Sequence, residues 1–81
     1  MASTIRERRE RRGMIREIIK EFPKGHQFTA ADICKILKER HGLEMQGVVV
    51  GTYISGLEER FVVRVKAIHT SDNDYHIWKR I

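Results

Sequence analysis

The 81-residue chain carries sixteen Lys or Arg against eleven Asp or Glu, a formal net charge of +5, with 41% of its positions apolar and 33% charged. Domains run to about 50–250 residues, so this is one small domain with no room for a large catalytic cavity, and its ordinary apolar fraction argues against wholesale disorder. One Cys excludes an internal disulfide, Met1-Ala-Ser-Thr-Ile5 carries no apolar signal region, and no apolar run exceeds the three residues of Val48 to Val50. A membrane span needs roughly 20 such residues, so the expectation is an intracellular, cytoplasmic chain without a membrane segment.

Residues 1–13 read as a basic arm, in which Arg6, Arg8, Arg9, Arg11 and Arg12 stand against Glu7 and Glu10. The apolar stripe of the helix that follows, traced backwards, falls on Arg11, Arg8 and Glu7. These turns therefore have no face to bury and are expected to be exposed or frayed. The domain proper, 14–81, opens with Met14, Ile15, Ile18, Ile19 and Phe22, the stripe of an amphipathic first helix. Pro23 stops it, because the residue before a proline is pushed out of the helical region. Lys24 to Phe28 is expected to be a loop.

Thr29-Ala-Ala-Asp32 then reads as a helix start, with the Thr29 hydroxyl capping early amides and Asp32 in the reciprocal position. Ile33, Ile36 and Leu37 supply the buried stripe of this second helix, Lys38 and Arg40 sit near its negative end, and Gly42 suits its left-handed termination. Leu43 to Gly47 is a short connection. Val50, Ile54 and Leu57 mark a third helix over Val48 to Glu59; its two Gly and three Val make it intrinsically weak, so packing must hold it.

The period changes after Phe61. Val63, Val65 and Ala67 alternate with Arg64 and Lys66, and Tyr75, Ile77 and Ile81 alternate with His76, Trp78 and Arg80. Thr70-Ser-Asp-Asn-Asp74 between them is turn chemistry, which predicts a β-hairpin with Trp78 or its neighbour Ile77 packed on the helices. Residues 60–81 carry five bases against two acids, the same +3 excess as residues 1–12, whereas 13–59 sum to −1. Two basic termini suggest an anionic partner.

Three helices and a two-stranded hairpin make an α+β order that resembles the winged helix-turn-helix family of archaeal, bacterial and viral regulators. The resemblance covers roughly 14–81. Phe28-Thr-Ala-Ala-Asp-Ile-Cys-Lys-Ile-Leu37 is similar to the family's second-helix segment. Val50-Gly-Thr-Tyr-Ile-Ser-Gly-Leu-Glu-Glu59 looks like its recognition helix, and Arg64 to Arg80 would be the wing. Phe61 stands where the family usually has Gly before the first wing strand.

The resemblance implies a DNA-binding transcriptional regulator, nucleoid-associated, whose third helix enters the major groove of double-stranded DNA while wing and arm lie on the backbone. The exposed face of that helix would comprise Gln46, Gly47, Val48, Val49, Gly51, Thr52, Tyr53 and Ser55, with no Arg or Lys from His41 to Glu59. Gln46 suits adenine, Thr52 and Ser55 offer hydroxyls, and Val48 or Val49 suits a thymine methyl. Phosphate contacts fall to Arg8, Arg9, Arg12 and Arg16 on one side and to Arg64, Lys66, Lys79 and Arg80 on the wing, with Lys35 and Lys38 as further candidates to bracket the third helix. A palindromic site would require a homodimer. A different class stays open: a winged helix that docks a protein partner on Val48, Val49 and Tyr53. An RNA partner shares the charge argument.

Other chemistry is thin. His26, Cys34, His41, His69 and His76 invite a metal reading, but Cys34 and His41 alone do not make a closed site, and Cys34 reads as a small, partly buried residue. His69 and His76 flank the turn and suit a cross-strand pair. No Gly-rich phosphate loop and no nucleophile with a base and orienter is present, Asp72 and Asp74 read as turn formers, and neither an enzyme nor a cofactor is expected.

Overall fold

The computed structural model describes residues 5–71 and 74–81; Met1 to Thr4 and, within the expected turn, Asp72 and Asn73 lie outside the described residues. Helix α1 spans Ile5–Glu21 and buries Ile15, Ile18 and Ile19, with Met14 and Phe22 packed at the margin. It ends just before Phe22-Pro23, as the steric restriction on the residue before proline requires. Its beginning is exposed, as expected, but is not frayed. The arm is helical from Ile5 and continues through residue 13 into the packed part without a break, while almost every side chain in it stays exposed.

The segment expected to be a loop contains a strand. Gly25 takes the left-handed region (φ 89°) and its N–H donates to the Arg80 carbonyl at 2.7 Å. Two residues then form β1 (Gln27–Phe28), opposite Lys79 and Trp78.

Helix α2 (Ala30–His41) follows directly. The Asp32 N–H donates to Thr29 Oγ1 at 3.4 Å and the Thr29 N–H donates to Asp32 Oδ2 at 2.9 Å, the reciprocal cap expected from the sequence. At the other end Gly42 is left-handed (φ 62°), and the N–H groups of Gly42 and Leu43 donate to Lys38 and Leu37 carbonyls. That double closure consumes two otherwise orphaned acceptors. The side chains of Arg40 and Glu21 pair, joining the C-terminal ends of α2 and α1.

Helix α3 is shorter than expected, spanning Gly47–Ser55 rather than reaching Glu59. Leu57 N–H donates to Ile54 O and Phe61 N–H to Leu57 O, so the chain winds down through tight turns. The residue with positive φ at this junction is Glu59 (φ 73°), a side-chain-bearing residue in the region where a glycine is cheapest.

Strands β2 (Val62–His69) and β3 (Asp74–Arg80) form the expected hairpin, but the sheet has three antiparallel strands in the order β1-β3-β2. Arg64 opposes Trp78 and Lys66 opposes Ile77, so Val65 is the extra residue of a bulge. The bulge inverts the alternation read from the sequence. Val63, Val65 and Ala67 do not share a face: Val62, Arg64 and Ala67 lie opposite Arg80, Trp78 and His76 on the helix side, Val63 lies on the outer side, and Val65 is 46% exposed.

The core follows from these registers. Ile15, Ile18 and Ile19 of α1, Ile33 and Leu37 of α2, Val50 and Ile54 of α3, and Phe28, Val62 and Trp78 of the sheet are each at most 2% exposed, with Leu57 beside them. Trp78 stacks on Phe28 at 6.4 Å between centroids and is the largest of these side chains. Burying it explains why the sheet closes on the helices rather than standing away as a free ribbon. Among the described residues no helix is long and apolar enough to cross a membrane.

Candidate functional site

The N-terminal turn of α2, the outward face of α3 along its whole length and the beginning of β3 line a groove of about 770 Å³. One wall is the line Val48, Thr52 and Ser55, spaced i, i+4, i+7 on α3; the others are Thr29, Ala30 and Ala31 from α2 and Tyr75, His76 and Trp78 from β3. The line points outward because Val50 and Ile54, on the opposite side of the same helix, are sealed in the core. Trp78 forms the floor beneath Gly51, where an added Cβ would stand 3.7 Å from the indole Cη2, an ordinary contact.

This wall carries no charge. Val48 is 82% exposed and Val49 41%, large values for valines. The Thr52 hydroxyl donates to the Val48 carbonyl at 3.1 Å, so its proton is already committed to the backbone. Gln46 is the N-cap of α3 but makes no side-chain cap hydrogen bond, which leaves the first amides of α3 without a capping acceptor from it. No Lys or Arg lines the groove.

The expected readers therefore divide. Val48, Gly51, Thr52 and Ser55 face the groove with Gly47; Val49 lies on the flank, and Tyr53 is half-buried against the core and does not line the groove. Tyr53 is thus less available than the sequence suggested, because its helical position falls at the edge of the buried arc defined by Val50, Ile54 and Leu57.

The basic residues of the hairpin divide as well. Arg64 and Arg80 fall on the helix side of the sheet, Lys66 and Lys79 on the outer side. Arg64 Nη2 lies 3.0 Å from Glu58 Oε1, the same oxygen that accepts from Trp78 Nε1 at 3.2 Å, so this guanidinium helps anchor the α3–β2 connection to the core tryptophan. Arg80 is half-buried, and its Nε and His76 Nδ1 are buried without a hydrogen-bond partner among the described residues. Lys79 lies opposite Gln27 at the base of the hairpin, away from the Tyr75 end that borders the groove.

On α1, Arg9, Arg12 and Arg16 recur at i, i+3, i+7 on one side, with Arg8 a turn before Arg12. Arg8, Arg9 and Arg12 are exposed and make no ion pair among the described residues, whereas Arg16 lies 3.9 Å from Glu17. Lys35 lines a separate, smaller cleft with Phe22 and His26, and Lys38 pairs with Glu44 at 3.2 Å; neither lines the groove.

Sequence reasoning did not place Thr29, Ala30, Ala31, Tyr75 or His76 beside α3. Thr29 was legible only as a cap; its second role depends on how α2 and α3 cross. Desolvation by partial burial pushes the Cys34 thiol above its ordinary range. Among the described residues no group of three or more His, Cys, Asp or Glu is placed to hold a metal ion. No protein-family model matches the chain, and neither the curated proteins nor the solved structures hold a significant match to it.

Proposed function

We propose that the chain is a small winged-helix DNA-binding protein and transcriptional regulator. In this reading α3 enters the major groove, and the hairpin, acting as the wing, lies beside it. The observation that carries the reading is the outward line Val48–Thr52–Ser55 on a helix whose back is locked into the core, next to an α2 that supplies its N-terminal turn to the same groove. A helix held this way projects side chains towards base edges without moving the scaffold.

The backbone term rests on part of the basic set that the sequence offered. Arg8, Arg9 and Arg12 supply exposed charge along α1, and Lys66 supplies it on the wing. Arg64 and Arg80 serve the fold first. Binding is accordingly salt-sensitive and weakly sequence-selective, and a homodimer at a palindromic site would add affinity.

A titration of a labelled random-sequence duplex, repeated over several salt concentrations, tests this. The wild type binds with a steep salt dependence, and an Arg8, Arg9, Arg12 to Ala variant binds more weakly with a shallower slope, by about 0.9 for each phosphate no longer neutralised. Absence of binding at low salt overturns the reading. The apolar lining of the groove, from Ala30 and Ala31 to Val48 and Trp78, favours the second reading, a module that docks a protein partner there. That reading requires an association that survives high salt and fails when Val48 is made polar.

A further inference from the structure

We infer that α3 selects the C5-methyl group of pyrimidines, thymine first and 5-methylcytosine by the same chemistry. The inference rests on the DNA-binding reading above and names what its helix reads.

Each base edge in the major groove demands a particular complement. Guanine presents two acceptors and calls for Arg or Lys; cytosine presents an amino donor and calls for a carboxylate; adenine calls for an amide; thymine alone adds a methyl. The face of α3 supplies neither of the first two. From Gly42 to Gly56 there is no Lys or Arg, and the single acid there, Glu44, lies before the helix and is paired with Lys38 at 3.2 Å. What the helix does present is two exposed valines at its N-terminal end, Val48 and Val49. Helices of this kind commonly meet base edges with that end.

Thr52 donates its hydroxyl to the Val48 carbonyl, so it turns outward a methyl and an acceptor that suits the amino group of adenine or cytosine alike, and Ser55 is equally indifferent between bases. Gln46 is the one amide, and adenine, its partner base, is paired with thymine. Valine contact with a methyl and glutamine contact with the opposite adenine both enrich A·T pairs. The occupant of this apolar face is taken to be a polyanion rather than an apolar peptide because the chain carries +5 and exposes Arg8, Arg9 and Arg12 along α1.

Removing a methyl from the target is a clean probe, because deoxyuridine keeps every hydrogen-bonding group of thymine. Affinity is measured for four labelled duplexes of about two helical turns: alternating A·T, the same with deoxyuridine for thymine, and a mixed sequence once with cytosine and once with 5-methylcytosine. The thymine duplex is expected to bind about fourfold more tightly than the uracil duplex for each methyl contacted, and cytosine methylation raises affinity by a similar factor. Val48→Ser brings both ratios towards one, whereas Arg9→Ala weakens all duplexes while the ratios persist. Equal affinity for thymine and uracil duplexes together with no effect of cytosine methylation, all duplexes binding well, overturns methyl selection and leaves the DNA-binding reading standing. Loss of the uracil penalty with retention of the 5-methylcytosine gain restricts the inference to methylated cytosine and overturns it for thymine. Failure to bind any duplex at low salt overturns both.

Discussion

Helices α2 and α3 pack side by side but are stabilised by different means. α2 carries its own stop signals, with a reciprocal Thr29–Asp32 cap, basic residues in its last turn and a left-handed Gly42 beyond. α3 has nine residues, two of them glycine and three valine, no side-chain cap, no acid in its first turn and no base in its last. One helix is specified locally; the other takes its stability from Val50, Ile54 and the neighbouring Leu57 in the core. The contrast has a functional sense. A helix that does not depend on charged or capping side chains for its own stability is free to present small uncharged ones outward.

The largest effect that separates the two helices comes from their shared floor. Trp78 is 2% exposed, stacks on Phe28 and lies under Gly51 of α3. Trp78→Ala is expected to cost about 3–5 kcal/mol, a large share of a small domain's stability. Hydrogen exchange followed residue by residue will show amides of α3 losing protection before those of α2. Equal loss across both helices would mean that α3 holds itself together better than its composition implies.

A smaller perturbation acts on α2 alone. Thr29→Ala removes the acceptor for the Asp32 N–H and is expected to lower stability by about 1 kcal/mol, read as a drop in the thermal midpoint. Thr29 also lines the groove, so the same variant tests whether α2 contributes to DNA affinity beyond its effect on folding.

The same contrast explains what was legible in the sequence. α2 was readable end to end because capping is a matter of residues three or four apart. β1 was not, since two residues have no period and Gln27 and Phe28 become a strand only against Lys79 and Trp78 at the far end of the chain. The faces of β2 were inverted by one bulged residue, Val65, which no alternation can reveal, and the left-handed backbone before β2 falls on Glu59, a residue type that does not signal it. The helical arm was hidden for a different reason: its turns bury almost nothing, so no stripe marks them. On the site itself, the outward line of α3 could be read from the sequence. The groove beside it could not, because Thr29 to Ala31 and Tyr75 to His76 meet α3 only once the sheet has closed on Trp78.

The smallest expected effect is the sharpest on function. Gln46 occupies the N-cap of α3 with extended backbone angles (φ −74°, ψ 144°) and no cap hydrogen bond, so a shorter oxygen-bearing side chain fits the backbone already in place. Gln46→Ser is expected to raise stability by about 0.5–1 kcal/mol, since Ser accepts from the second or third amide of the helix where Gln does not. In the DNA-binding reading the same change removes the one amide able to pair with adenine, so sequence discrimination should fall while the protein becomes more stable. The two effects are measured separately, by thermal unfolding and by competition between A·T-rich and G·C-rich duplexes. A gain in stability with unaltered discrimination would remove Gln46 from the interface and leave recognition to the valines. A gain accompanied by lost discrimination would mean that α3 keeps an uncapped end because the side chain there is needed for the partner.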